Sequence, residues 1–312
     1  SSAENPVSIT HPVMVDLTPA AITINTIATD DLINAAEKGA DLTLSGTTTN
    51  VEPGQTVTVT FGGKNYTASV ASDGSWTATV PAADLASLPE GSASAQASVS
   101  NINGNSASAV HNYSIDSSAP TIIINTVASD NIVNASEADA GVTVSGSTTA
   151  EAGQIVTVTL NSPTVQTYQA TVQADGSWSI NIPAADLEAL TDGSHTLTAT
   201  VSDLAGNPGS ASKGVTVDTT APVISFNTVA GDDILNNAEQ AVAQIISGQV
   251  SGASPGDTVT VKLGTHVLTG IVLADVSRNV ALDPAVTRTL DRGANTIFVT
   301  VTDAAGNTGA AS

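Results

Sequence analysis

One phrase recurs at domain-length spacing. Asp116-Ser117-Ser118-Ala119-Pro120 returns as Asp218-Thr219-Thr220-Ala221-Pro222, and 218 − 116 = 102. A looser copy, Asp16-Leu17-Thr18-Pro19-Ala20, lies 116 − 16 = 100 residues earlier. A period of this length is too long for one solenoid repeat and fits an independently folding domain. The chain therefore reads as an array of about three units, each able to bury a small core of its own.

Within each unit, short stretches alternate with period two. Thr56–Thr60, Ile155–Leu160, Thr258–Leu263, Thr196–Val201 and Thr296–Val301 are of this kind, separated by Gly, Asn, Asp and Pro. About seven such strands per hundred residues predict an all-β chain of three tandem Ig-like Greek-key sandwiches in an elongated rod. The expected domains are 17–116, 117–218 and 219–312, with 1–16 as the end strand of a preceding repeat. The second unit predicts strands at Thr121–Val127, Val142–Gly146 and His195–Val201, and a helical turn at Pro183–Leu187. Asp73-Gly74 and Asp175-Gly176, each followed by Ser-Trp, predict type I′ hairpins. The third unit diverges: Asp275-Val276-Ser277-Arg278 stands in that place, and Ser312 precedes its expected last strand. The opening Ser1-Ser2-Ala3-Glu4 reads as a cut from a longer chain.

Composition narrows the function. Lys and Arg total 7 against 29 Asp and Glu, a net charge of −22. That balance opposes nucleic acid and anionic lipid. There is no cysteine to staple the sandwiches, so another cross-link is expected. No apolar run is long enough to span a bilayer as a helix. No G-x-S-x-G, P-loop or H-E-x-x-H motif occurs, and Asp84, Asp186 and Glu188 on short turns make a poor pair for glycoside hydrolysis. The chain is not expected to be an enzyme.

The carboxylates cluster at matching offsets. If each sandwich is entered at one end and left at the other, three elements converge at each junction. At the first these are Asp30, Asp31, Asn34 and Glu37 of one loop, the linker Asp116, and Asp203 and Asn207 of a later loop. At the second they are Asp130, Asn131, Asn134 and Glu137, then Asp218, then Asp303 and Asn307. The third unit repeats the first loop with Asp232 and Asp233. Hard oxygens from separate elements suit Ca²⁺, with Mg²⁺ second because it demands stricter geometry. The scattered histidines and absent cysteines do not suit Zn²⁺. The competing reading is that these residues cap turns locally. The loop Asn101-Ile102-Asn103-Gly104-Asn105 lacks the Asp, so a site facing Asp16 is expected to be weaker.

Together the phrases V-D-x-T-A-P, N-T-V-A-x-D-(D/N)-I-(V/L)-N-x-x-E, D-G-S-W and D-L-A-G-N resemble the bacterial Ig-like repeats of giant type I-secreted non-fimbrial adhesins, Bap-like biofilm proteins included. The resemblance covers nearly the whole chain and is weaker in the middle of the third unit. It implies a secreted, surface-exposed and monomeric rod, stiffened by Ca²⁺ between adjacent repeats, that serves virulence or biofilm adhesion by contacting host-cell glycans or receptors. The alternative is a glycan-binding module in which Trp76 or Trp178 touches sugar directly; burial of both indoles would end it.

Overall fold

A computed structural model describes residues 9–161 and 164–312. Of the segment expected to close a preceding repeat, residues 1–8 lie outside the described residues, and 9–16 are irregular, with 9–15 exposed. The chain divides into two units: Ser1–Pro120 together with Ser202–Pro208, and Thr121–Val201 together with Gly209–Ser312.

The first unit holds one sandwich. Its elements are β1 (Ala21–Ile22), β2 (Leu32–Ile33), α1 (Ala35–Lys38), β3 (Leu42–Thr49), β4 (Thr56–Phe61), β5 (Lys64–Ser69), β6 (Ser75–Val80), α2 (Ala82–Leu85), β7 (Gly91–Ser100) and β8 (Ser106–Ile115). One sheet runs β1-β3-β6 and the other β2-β8-β7-β4-β5. The second unit begins with the same set: β9 (Ile122–Ile124), β10 (Ile132–Val133), α3 (Ala135–Ala140), β11 (Val142–Thr148), β12 (Ile155–Asn161), β13 (Gln166–Thr171), β14 (Ser177–Ile182), α4 (Ala184–Glu188), β15 (Gly193–Ser202) and β16 (Pro208–Val217). It then carries a third sandwich: β17 (Val223–Ile224), β18 (Gln244–Ser251), β19 (Thr258–Leu263), β20 (His266–Ile271), β21 (Ser277–Leu282), α5 (Pro284–Thr287), β22 (Ile297–Thr302) and β23 (Thr308–Ala311). Three hydrophobic clusters, one per sandwich, form the cores. The inward face of each alternating strand fills them, as with Val57, Val59 and Phe61 of β4.

The expected first strand is interrupted for a reason. β1 pairs antiparallel with β3, while β2 pairs parallel with the end of β8 in the other sheet. The chain switches sheets in between, through positive-φ Ala28, Thr29 and Asp31. Left-handed backbone is costly for residues bearing a Cβ, least so for Asp and Asn. Asp31 offsets the cost, because its Oδ1 accepts the Ile27 amide at 2.7 Å. Asn131 and Asp233 do the same for Val127 and Val229.

Trp76 and Trp178 are 1% and 2% exposed. Each indole lies against a glycine of the facing strand: a Cβ on Gly146 would stand 2.5 Å from Trp178 Cζ2 and 1.9 Å from the Ile123 carbonyl. The tryptophans are core residues, and the sugar-contact reading that depended on their exposure does not hold. The Asp-Gly turns also differ from expectation. Only Gly74 and Gly176 have positive φ, and each donates to the residue three before it, Ala71 and Gln173. That is a type I turn followed by a left-handed glycine; type I′ needs two positive φ values.

The third sandwich is not without its last strand, as the sequence had implied. β23 pairs with β22 in register, Thr302 opposite Thr308. It holds four residues where β8 and β16 hold ten. Ile234 and Leu235, which occupy the places of β2 and β10, join no ladder, and Ile234 is exposed. Their helix shrinks to a 3₁₀ turn at Glu239–Ala241. Arg278 replaces the tryptophan and is fully buried. Its Nη2 donates to the Ser225 carbonyl at 2.9 Å and its guanidinium covers Phe226, but Nε and Nη1 are unpartnered. Burial pulls its pKa down.

A buried charge without a counter-ion is a standing cost, and an apolar side chain of similar volume commonly removes about 1–4 kcal/mol of it. Arg278→Met is expected to raise the denaturant midpoint of the third sandwich. A loss above about 1 kcal/mol would show that the Phe226 and Ser225 contacts outweigh desolvation.

Candidate functional site

The acidic loops divide into two groups by what their oxygens already hold. The first group makes turns. Oδ1 of Asp30, Asp130 and Asp232 accepts the amide two residues on, from Leu32, Ile132 and Ile234. Asp31, Asn131 and Asp233 hold the sheet-switching bend, and Asp31 also meets His111 Nε2 at 2.7 Å.

The second group forms a joint. In the first unit Asn34 caps α1: its Oδ1 accepts the amides of Ala36 and Glu37, while Glu37 Oε2 accepts the Asn34 amide at 3.1 Å, a reciprocal capping box. That leaves the Ala35 amide, which donates to Asn207 Oδ1 at 2.8 Å. Asn207 Nδ2 donates to the carbonyl of linker Asp116 at 2.9 Å and to Asp203 Oδ2 at 3.0 Å. Asp203 Oδ1 accepts the Asn207 amide. One side chain, 1% exposed, thus ties a helix start, a linker and a hairpin loop.

The second unit repeats the joint, with Asn134 Oδ1 accepting the Glu137 amide. Glu137 Oε2 accepts the Asn134 amide, and Ala135 donates to Asn307 Oδ1 at 2.9 Å. Asn307 Nδ2 donates to the Asp218 carbonyl at 2.8 Å and to Asp303 Oδ2 at 3.1 Å. Asn134 Nδ2 adds a bond to the Ala305 carbonyl at 3.0 Å.

The loop lacking the Asp makes a related contact in the first unit. Asn101 accepts the amides of Asn103 and Asn105, Asn105 Nδ2 donates to the Asp16 carbonyl at 3.3 Å, and Asn103 Nδ2 donates to Asp16 Oδ2 at 2.7 Å. The Thr18 amide, first, and then Asn103 hold the Asp16 carboxyl below its ordinary range.

The joint oxygens are of the kind a hard cation takes. Glu37 has one carboxylate oxygen engaged, and Asp116 engages Oδ1 with the Ser118 amide. Yet no three acidic, histidine or cysteine side chains among the described residues are gathered closely enough to hold a metal ion. Asp203 and Asp303 spend both oxygens on Asn207 and Asn307. The donor chemistry fits Ca²⁺, and the held assembly is already a hydrogen-bonded one.

Two contributors went unnoticed in the sequence. Glu90 Oε2 accepts the amide of Ser117, the residue after Asp116, at 2.8 Å; its Oε1 meets the Ser117 hydroxyl and Lys38 Nζ. Asp192 Oδ1 accepts the Thr219 amide at 2.9 Å, and Oδ2 meets the Thr220 hydroxyl. The signal was there, since 116 − 90 = 26 and 218 − 192 = 26. The acids set aside as catalytic have structural partners: Asp84 accepts from Lys64 and Tyr66, and Asp186 from Tyr168. Burial, with the Asp84 bond second, pushes the Tyr66 hydroxyl up to about 12.

Residues 118–219 match the bacterial Ig-like domain family model. A Ca²⁺-stabilized adhesin that helps an Antarctic bacterium reach out and bind ice shares 33% identity over 95% of this chain and 73% of its own, with a TM-score of 0.49. The chain belongs to the bacterial Ig-like domain family. A second relative of these Ig-like repeats, from a 1.5-MDa bacterial ice-binding adhesin, is 32% identical over 95% of this chain and 96% of its own, with a TM-score of 0.47. A tetra-tandem repeat from the extending region of a large adhesion protein is 27% identical over 94% and 72%, with a TM-score of 0.32. No curated protein matches the chain. No helix among the described residues is long and apolar enough to cross a membrane.

Two expectations follow for the Ig-like repeats. Asn307→Ala strands the Ala135 amide and removes the donor to Asp303 Oδ2, so a loss of about 1–3 kcal/mol is expected in denaturant unfolding of the second unit; no change would show that water replaces the side chain freely. The second concerns acid. The Ser117 hydroxyl and amide hold Glu90 below 4.5, and the hydroxyl of Thr220 and amide of Thr219 hold Asp192 below 3.8. Because the folded pKa is the lower one, this stabilisation is whole above the unfolded values and is lost as pH falls through the folded ones. Melting temperature should fall as pH drops below about 5, and less so in Glu90→Gln/Asp192→Asn.

Proposed function

We propose that this chain is a spacer segment of a secreted bacterial surface adhesin, in which Ca²⁺ at the joints restrains adjacent repeats, 17–116, 117–218 and 219–312. The observation that carries this reading is the recurrence of one joint at two places, each bringing the first amide of a Glu-capped helix, a linker Asp carbonyl and a hairpin-loop Asp carboxylate to a single asparagine. The residues that would hold the cation are Glu37, Asp116 and Asp203 in the first unit, and Glu137, Asp218 and Asp303 in the second. The cation would supply charge neutralisation: two unit charges ~4 Å apart repel by about 1 kcal/mol in water and by several where the dielectric is lower.

The sequence kinship supports the assignment, since one relative is itself described as a Ca²⁺-stabilized adhesin. Type I secretion and a role in virulence or biofilm belong to the same proposal, as does a host-surface glycan or receptor contacted elsewhere in the parent adhesin. Extracellular Ca²⁺ modules bind at about 10⁻⁴–10⁻³ M. Such a site fills outside the cell and empties in the cytosol, leaving the chain pliable for export.

Calorimetric titration of Ca²⁺ into chelator-stripped protein tests this, beside Asp116→Ala/Asp218→Ala. Heat in the parent that is lost in the variant is the expected result, with a smaller, more variable radius of gyration under chelator. No heat in either protein overturns the cation and leaves the joints purely hydrogen-bonded.

A further inference from the structure

We propose that Glu90 and Asp192 are positioning residues that fix each linker directly after its Asp, without any cation. Both stand at the start of a long strand, immediately before Gly91 of β7 and Gly193 of β15. Each offers a carboxylate to the backbone amide that follows the linker Asp, Ser117 or Thr219, and a second bond to a hydroxyl of the same linker. Asp192 also takes the Thr219 hydroxyl at 2.9 Å.

The geometry closes a gap that the asparagine leaves. Asn207 and Asn307 hold the carbonyls of Asp116 and Asp218. The parallel neighbours β2 and β10 hold their amides, through the carbonyls of Ile33 and Val133, each at 3.0 Å. With the next amide taken by Glu90 or Asp192, three consecutive backbone groups around each linker Asp are fastened by protein atoms. Its carboxylate is held separately, by the amide of Ser118 or Thr220 two residues on. The residue types differ while the task does not: a Glu braced by Lys38 in one unit, and an Asp with an extra threonine hydroxyl in the other. Arg292 holds the corresponding place in the third sandwich and can accept no hydrogen bond.

The test is amide hydrogen exchange on the full chain in chelator, read at single residues by NMR. In the parent, Ser117 and Thr219 are expected to exchange at least about tenfold more slowly than an unstructured amide, the worth of one charge-assisted hydrogen bond. Glu90→Ala should release Ser117 and leave Thr219 protected, Asp192→Ala should do the converse, and Glu90→Asp should keep most of the protection. The Val59 amide in the core strand β4 reports the fold. If Val59 accelerates with Ser117 in Glu90→Ala, the milder Glu90→Gln is read instead, where Ser117 alone should accelerate. Unprotected Ser117 and Thr219 in the parent, or protection that survives both alanine variants, would overturn the proposal. Because the cation is absent throughout, the result stands apart from whether Ca²⁺ binds.

Discussion

A primary amide buried in a protein must have its donors and its acceptor satisfied, or it costs about 1–3 kcal/mol for each group left bare. Asn207 and Asn307 meet that demand only if three separate segments arrive together. The acceptor needs the free first amide of a short helix, that of Ala35 or Ala135, next to the capping boxes of Asn34 and Asn134. The donors need a linker carbonyl and a loop carboxylate. The capping box, the parallel pairing that delivers the linker, and the tight Asp203–Asn207 and Asp303–Asn307 loops are therefore conditions of one another.

The parallel pairing is in turn set by the bend that moves the chain from one sheet to the other. Ala28, Thr29 and Asp31 adopt backbone angles that cost energy, and the side chain of Asp31 stabilises the turn from within. The pairs Asp30-Asp31, Asp130-Asn131 and Asp232-Asp233 are thereby explained without any ligand. Their recurrence had pointed to a metal, but recurrence follows equally from a bend that every sandwich must make.

Much of the fold was legible in the sequence because alternation and turn chemistry are local. Strands such as Ile155–Leu160 and the helical turn after Pro183 lie close to where their periodicity put them. Of the site, the residue types and the meeting of three elements were legible, because spacing repeated at about a hundred residues. What the atoms do was not. Asp203 differs from Asp31 only in which amides lie within 3 Å of its oxygens, and that is decided by packing far off in sequence. Glu90 and Asp192 looked like ordinary exposed acids for the same reason. The type of the Asp-Gly turn escaped because it depends on the sign of one φ, at Asp73, that the residue pair leaves free.

The third sandwich keeps the bend and the capping contact of the other two. Asp232 and Asp233 make their turns, and Asn236 still accepts the Glu239 amide. Yet its helix is a 3₁₀ turn, and Leu235 is only half buried where Ile33 and Val133 are sealed. Local sequence thus suffices for the bend and the capping contact. In the first two sandwiches the full helical turn stands beside a parallel strand pair, and an asparagine takes its first amide.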